Sequence, residues 1–258
     1  MNMQAMMTAY YGLAFKEISR VMRIWGQTLL PSVVTITLYF LIFGRIIGDR
    51  VGMMSGVPYM LYITPGLIMM AVIVNAYSNI SSSFFAAKFN RNIEEILVSP
   101  MPISLIIFGY LSASVFRGIF VGLLTCLVAI LLGKFNLQHP LLTFIVFILS
   151  STLFGFIGLL NGIYANKFDD IAIVTTFVLT PLIYLGGVFY NISALSQFWR
   201  YVSYCNPIHY VIDLFRYAML GIHAENSWPL LLMLITLINI VLYMACHYCL
   251  AKGTGMRV

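Results

Sequence analysis

Residues 103–133 read ISLIIFGYLSASVFRGIFVGLLTCLVAILLG, an apolar stretch whose only charged side chain is Arg117. A helix of this length more than satisfies the roughly 20 residues that the hydrocarbon core of a bilayer requires. The whole chain agrees, because 61% of its 258 residues are hydrophobic and only 9% are charged. An ordinary soluble domain has about 25% charged residues. The sequence therefore predicts an all-α integral membrane protein and excludes a soluble or disordered chain.

Further apolar blocks lie on both sides of this stretch, separated by charges and prolines. Each is long enough for one membrane crossing. Together they predict one domain with six transmembrane helices, over residues 24–44, 58–85, 103–133, 141–164, 171–190 and 228–250. Pro65-Gly66 is expected to loosen or kink the second of them, because proline cannot donate a backbone hydrogen bond.

The lysines and arginines that flank the spans predict the orientation, since cytoplasmic segments carry an excess of both. With the N-terminus inside, the cytoplasmic flanks hold Lys16, Arg20, Arg23, Lys88, Arg91, Lys167, Lys252 and Arg257. The opposite flanks hold Arg45, Arg50, Lys134, Arg200 and Arg216. This bias predicts that both termini are cytoplasmic. Much of the net charge of +6 comes from these flanks, so membrane lipid and not nucleic acid is the expected partner.

Residues 8–25 are predicted to form an amphipathic helix at the membrane interface. At 100° per residue, Lys16, Arg20 and Arg23 share one narrow sector. The opposite side carries Tyr11, Ala14, Phe15, Ile18, Val21, Met22 and Trp25. A basic face opposite an apolar face is typical of a helix that lies in the interface. Only Leu13 does not fit this pattern, and the alternative is a solvated leader to the first span.

The loop at 88–102 contains a second short amphipathic helix. One face holds Ile93, Ile96 and Leu97, the other holds Arg91, Glu94 and Glu95, and Pro100 stops the helix. A helix this short is not stable alone, which favours docking to a partner over a solvated loop.

The segment at 191–226 is too long for an ordinary turn and rich in aromatic side chains. Asn206-Pro207 divides it into two short helices. It is predicted to be a re-entrant helical hairpin on the outer side, which requires cover from protein or water. The alternative, an aromatic belt at the interface, is compatible with the hairpin.

The chain lacks the residues that an energy-converting enzyme needs. No lysine precedes serine or threonine, so there is no phosphate-binding loop. No acidic residue lies midway through a span, which argues against a proton- or sodium-coupled carrier. No catalytic, cofactor-binding or metal-binding set is predicted. The polar residues inside the spans are Arg117, Asn75, Asn79 and Asn161, which either join helices or line a pathway.

Several of these segments together resemble the ABC-2-type transport permeases, and most of all a bacterial inner-membrane member of that family. The resemblance covers residues 1–258 as a single transmembrane domain. It is carried by RNIEEILVSPMP at 91–102 and NPIHYVIDLFR at 206–216. Pro65-Gly66-Leu67 and Gly186-Gly187-Val188-Phe189-Tyr190 occur at the places expected for the family.

The resemblance implies the permease subunit of an ATP-driven exporter. Two permease chains would pair with two copies of a separate cytoplasmic ATPase, which would bind ATP and magnesium. The substrate moved outward would be lipid-like, a glycan or drug-like. The alternative from a different class is a self-sufficient ion-coupled secondary transporter or channel.

The resemblance also implies roles for particular residues. The helix around 91–98 would be the coupling helix inserted into the ATPase, with polar contacts from Glu94 and Glu95 and apolar contacts from Ile93, Ile96 and Leu97. The interfacial helix, with Lys16, Arg20, Arg23 and Trp25, would also touch the ATPase. The hairpin at 191–226 would be the outer gate. The gate residues would be Gly186, Gly187, Phe189, Asn206, Pro207, Tyr210 and Arg216.

Overall fold

The computed structural model describes residues 3–133, 137–222 and 227–255. Its first half contains long helices and one very small hairpin of strands. The elements are α1 (Met3–Arg23), α2 (Trp25–Leu41), a π-helical turn (Ile42–Ile47), α3 (Gly48–Val51), antiparallel strands β1 (Met53–Met54) and β2 (Val57–Pro58), α4 (Tyr59–Phe89), α5 (Asn92–Val98) and α6 (Ile103–Gly133).

The elements described in the second half are all helices or helical turns. It comprises α7 (Pro140–Tyr164), α8 (Phe168–Ile173), a π-helical turn (Val174–Leu179), α9 (Thr180–Leu185), a 3₁₀ turn (Ile192–Ala194), α10 (Gln197–Tyr204), α11 (Pro207–Leu220) and α12 (Trp228–Lys252). The last residues of the predicted outer hairpin, 223–226, lie outside the described part of the chain. Within it, α10 and α11 are the two short helices on either side of Asn206-Pro207.

Within the described part of the chain, five helical segments are long and apolar enough to cross a membrane, namely α4, α6, α7, the unit from α8 to α9, and α12. A sixth results if α1 and α2, which meet at an angle of 61°, are counted as one bent span. The all-helical architecture agrees with the prediction. Alpha6 has the bounds predicted for the third span, whereas α4 continues to Phe89 and the helix that begins at Trp25 continues through a π-helical turn to Val51.

Alpha4 is the central helix and packs against α6 and α7 along much of its length. It continues through Pro65 as one helix, and the kink predicted there stays a prediction. Gly66 allows a close approach, since a Cβ at this position would lie 2.8 Å from the Cα of Val188. Gly158 of α7 does the same at the other end, because its Cβ would lie 2.5 Å from the carbonyl oxygen of Tyr77. Small residues at such crossings let membrane helices pack closely.

The core is divided into two main clusters along α4. The larger surrounds its first half and includes side chains of α2, α7 and α11, such as Phe40, Phe147 and Phe215. The second cluster, which we call the coupling-side cluster, joins α1, α5, α6, α7 and α12 through residues including Leu13, Phe84, Ile93, Ile106 and Cys246. Leu13, which fitted neither face of the predicted interfacial helix, packs against Gly109 of α6.

Candidate functional site

Helix α5 is held at the end of the molecule by its own apolar residues. Arg91 precedes it in a left-handed conformation with φ of 61°. Ile93 is only 1% exposed and belongs to the coupling-side cluster. Ile96 and Leu97 are partly buried against the same cluster. The apolar face of α5 therefore meets the chain's own core, and Ile93 is not available to a partner.

The outward face of α5 is acidic. Glu94 and Glu95 are exposed in its first turn. Arg91 is exposed beside them, and Val98 is 87% exposed. Pro100 is also exposed and follows the end of the helix. A partner would meet the two carboxylates that the resemblance implied and also Val98, whereas Ile93, one of the three apolar contacts implied, is buried.

An open groove separates α5 from α1. It has a volume of about 360 Å³ and is lined by Lys16 and Leu13 on one side and by Glu95, Ile96 and Met101 on the other. Lys16 is exposed, as predicted for the basic face of α1, whereas Leu13 is buried. The groove places both charged helices at one continuous surface, which we call the coupling surface.

Helix α1 has three faces where the sequence pattern showed two. Its apolar residues Tyr11 and Phe15 are exposed, and so are Arg23 at its end and Trp25 at the start of α2. A third face packs on the rest of the protein. Arg20 points inward from this packed face, in contrast to its predicted place on a basic interfacial face.

A polar network joins α1 to α4. Glu17, which is 4% exposed, accepts a hydrogen bond from the hydroxyl of Ser83. The same carboxylate oxygen accepts from Nε of Arg20 at 3.2 Å. Nη2 of Arg20 donates to Oδ1 of Asn79 at 2.9 Å. Glu17 thus holds the guanidinium against α4 and compensates its charge.

The network continues one helical turn along α4. Oδ1 of Asn75 accepts from Nη2 of Arg117 at 2.8 Å and from Nε at 3.1 Å. Nδ2 of Asn75 donates to the hydroxyl of Ser32 on α2 at 2.8 Å. A single amide therefore connects α2, α4 and α6 near the middle of α4 and α6.

Two further polar contacts join α4 to α7. Nδ2 of Asn161 donates to the hydroxyl of Tyr77 at 2.6 Å. Lys88, only 3% exposed, donates to the carbonyl oxygens of Ile163 at 2.8 Å and Ala165 at 2.7 Å. Lys88 caps the last turn of α7, where carbonyl groups have no partner within the helix. It thereby fixes the end of α4 from which α5 departs.

At the other end of the molecule, Arg216 of α11 joins a tight turn to α4. Its Nη2 donates to the carbonyl oxygen of Gly187 at 2.8 Å, and its guanidinium lies 4.1 Å from the ring centroid of Tyr62. Gly187 has φ of +80°, a conformation that favours glycine. The predicted gate residues Gly187 and Arg216 are therefore in direct contact.

The other predicted gate residues surround the same turn. Asn206 caps α11 by accepting from the amide of Ile208 at 3.0 Å, and it donates to the carbonyl oxygen of Leu182 at 2.6 Å. Gly186 lies against Ile208 and Phe189 against Tyr39, Phe43 and Tyr184. Pro207 occupies the first turn of α11, and Tyr210 donates to the carbonyl oxygen of Tyr204 at 2.6 Å. The contacts thus connect Gly186, Gly187 and Arg216 at the turn, whereas Pro207 and Tyr210 lie along α11, and the gate role of these residues stays a prediction.

Replacing Arg216 by methionine should loosen this assembly. The substitution keeps an unbranched apolar stem but leaves the carbonyl oxygen of Gly187 without this donor and removes the stacking on Tyr62. We expect a loss of about 2 kcal/mol in the free energy of unfolding. Denaturation in mixed detergent micelles measures this change in the free energy of unfolding. Arg50→Met, at an exposed arginine of α3, is the control, and equal stability of the two variants would contradict the assignment.

Several residues of these sites were not predicted from the sequence. Glu17 could have been found, because an opposite charge three residues before Arg20 on a helix indicates an ion pair. Ser83 lies four residues after Asn79 and eight after Asn75, a spacing that places all three on one face of α4. Lys88 gave no such signal, since its acceptors are backbone carbonyls of a helix far away in sequence.

Comparisons with known proteins identify relatives of this chain. A family model described as ABC-2 type transporter matches residues 8–220. The inner membrane transport permease YadH of Escherichia coli strain K12 is 50% identical over 244 residues, which cover 94% of each chain. Nodulation protein J of Sinorhizobium fredii is 25% identical over 185 residues, covering 71% of this chain and 70% of that one. Nodulation protein J of Rhizobium meliloti is 24% identical over the same length, covering 71% of each.

Proposed function

The chain belongs to the ABC-2 type transporter family and is an ABC transporter permease subunit of the bacterial inner membrane, and we propose that two copies of it form the pathway of an exporter. Membership of this family implies an ABC ATPase as partner. ATP and magnesium would bind to that ATPase, and both termini of the permease would lie on its side of the membrane. Membership of this family argues against the alternative of a self-sufficient ion-coupled secondary transporter or channel.

The observation that carries the proposed docking mode is the orientation of α5. Its apolar face is buried in the coupling-side cluster, and its carboxylates Glu94 and Glu95 face outward. We propose that the ATPase binds this acidic face together with Val98 and the groove beside α1. Basic side chains on the ATPase would complement the two carboxylates.

This docking mode suggests how movement of the ATPase would reach the spans. Because Ile93 packs with residues of α4 and α6, a force on α5 acts on both helices at once. Lys88 would pass the displacement on to α7. Alpha1 would follow because Glu17 and Arg20 attach it to α4.

The outer gate would be the turn at 186–190 together with α11. Arg216 joins both parts to α4, so a shift of α4 would change the outer opening. We propose that the substrate, a lipid-like, glycan or drug-like molecule, moves outward past this turn.

The combined change Glu94→Arg and Glu95→Arg tests the docking mode. Reversing two exposed charges should lower the affinity for the ATPase at least about tenfold, because like charges would then face each other. Both side chains are exposed, so the permease itself should stay folded. Co-purification with its partner ABC ATPase, and ATP hydrolysis by the complex, are the measurements.

Asp169→Arg is the matched control, since Asp169 is also exposed and lies on the same side, after α7. The control should retain both binding and hydrolysis. Unchanged co-purification of the double variant would overturn the docking mode. Failure of the wild-type chain to bind any ATPase would instead overturn the proposed two-plus-two assembly.

A further inference from the structure

The polar network along α4 contains more positive charge than its own residues neutralise. Arg20 has the carboxylate of Glu17. Among the described residues, Arg117 has no acidic partner, and both of its side-chain hydrogen bonds go to the neutral amide of Asn75. We infer that Arg117 and Arg20 bind the phosphate head group of an amphipathic anion whose apolar part lies in the cleft between α2 and α4.

The depth of Arg117 makes an uncompensated charge costly. It lies near the middle of α6, and its partner Asn75 lies near the middle of α4. Arginines at this depth of a membrane protein normally face a polar cavity and pair with other groups. The neutral amide of Asn75 accepts hydrogen bonds from some of the guanidinium donors, but it does not neutralise the positive charge. A bound anion would supply the negative charge that the described residues do not place beside Arg117.

The donors of the network outnumber its acceptors. A guanidinium has five N–H donors, and the bonds of Arg117 engage only Nε and Nη2. Nδ2 of Asn79 is buried and has no hydrogen-bond partner in the described structure. Asn75 and Asn79 are one turn apart, about 6 Å along the axis, so the two guanidinium groups that they hold are neighbours. An excess of donors around neighbouring cations favours an oxyanion.

The adjacent cleft has the shape and polarity that the rest of such a ligand needs. It has a volume of about 180 Å³ and is lined on the α2 side by Pro31 and Ile36 and on the α4 side by Leu67 and Ala71. Its polar end is the hydrogen bond between Ser32 and Asn75, the amide to which Arg117 donates. Guanidinium groups match phosphate oxygens in geometry as well as charge. An acyl or isoprenoid chain fits the apolar walls.

Lipid retention by the permease alone tests this site without any ATPase, so the result is independent of the proposed docking mode. The chain is reconstituted in nanodiscs of equal phosphatidylglycerol and phosphatidylethanolamine, released, and analysed by native mass spectrometry. We expect preferential retention of phosphatidylglycerol by wild type and a loss of at least about tenfold for Arg117→Gln. Lys252→Gln, which removes an exposed charge at the end of α12, should retain it fully.

Arg117→Lys keeps the charge but not the two-pronged geometry, and it should give an intermediate retention if phosphate is bound. This variant also covers the case in which Arg117→Gln does not fold, which size-exclusion chromatography would reveal. No preference for phosphatidylglycerol in wild type, or equal retention by wild type and Arg117→Lys, overturns the site. Release of the retained lipid during ATP hydrolysis by the full complex would identify it as cargo, and its retention would identify it as resident lipid.

Discussion

Replacing Gly158 by valine is expected to prevent the permease from forming a stable fold. A Cβ at this position would lie 2.5 Å from the carbonyl oxygen of Tyr77 and 2.8 Å from Cγ2 of Ile80. The first of these is backbone inside a buried helix and cannot rotate away. Alpha7 would have to move off α4, the helix around which the whole chain packs. We expect a loss of about 3 kcal/mol or more in the free energy of unfolding.

The effect should already appear with alanine, because the clash involves Cβ itself. Gly158→Ala should therefore lower the yield of monodisperse protein in size-exclusion chromatography, and Gly158→Val should abolish it. Gly12→Ala is the control, since no atom lies within 4 Å of a Cβ at that helical position. It should stabilise the protein slightly, by about 0.5–1 kcal/mol, through the better helix propensity of alanine. Wild-type yield of Gly158→Val would show that α4 and α7 do not approach this closely.

The close approach of α4 and α7 illustrates what a sequence can show and what it leaves open. Gly158 and Gly162 have the spacing of small residues that favours helix contact in membranes, so the crossing could have been predicted from α7 alone. The partner helix could not, because α4 and α6 both carry the small and polar residues that face neighbouring helices in membranes. Helix bounds were easier, since charges and prolines bracket the apolar blocks, as at the two ends of α6.

The orientation of α5 was harder to predict for a related reason. Periodicity shows that Ile93, Ile96 and Leu97 share a face, but it does not say whether that face meets a partner or the chain itself. The answer depends on α1 and α6, which are distant in sequence and supply Leu13 and Ile106 to the same cluster. An amphipathic pattern identifies a covered face, and only the tertiary structure identifies what covers it.

The sequence pattern of α1 likewise does not show what its side chains contact, and one of these contacts is the basis of a further prediction. A helical projection places Arg20 with two basic neighbours, yet the structure turns it toward α4 because Glu17 and Asn79 supply oxygens there. Glu17→Leu should leave this guanidinium without a carboxylate and the hydroxyl of Ser83 without its acceptor. Removing one partner of a buried pair typically costs 3–5 kcal/mol. The side chain of Arg20 is 34% exposed, so we expect about 2–3 kcal/mol.

We expect the lower stability of Glu17→Leu to affect α1 first, because α1 would lose its polar attachment to α4 while the other spans remain packed. A cysteine at Ser19 would report this as faster modification by a membrane-impermeant maleimide, in a background without the exposed Cys205. Exchanging the charges, with Glu17→Arg and Arg20→Glu together, should restore part of the protection. The rescue is possible because Asn79 and Ser83 can each both donate and accept hydrogen bonds. If the exchange restores nothing although Glu17→Leu exposes the cysteine, packing and not the charge pair holds α1. If Glu17→Leu leaves the labelling rate unchanged, α1 is held in place by the packing of Leu13 and its apolar neighbours against α6 alone.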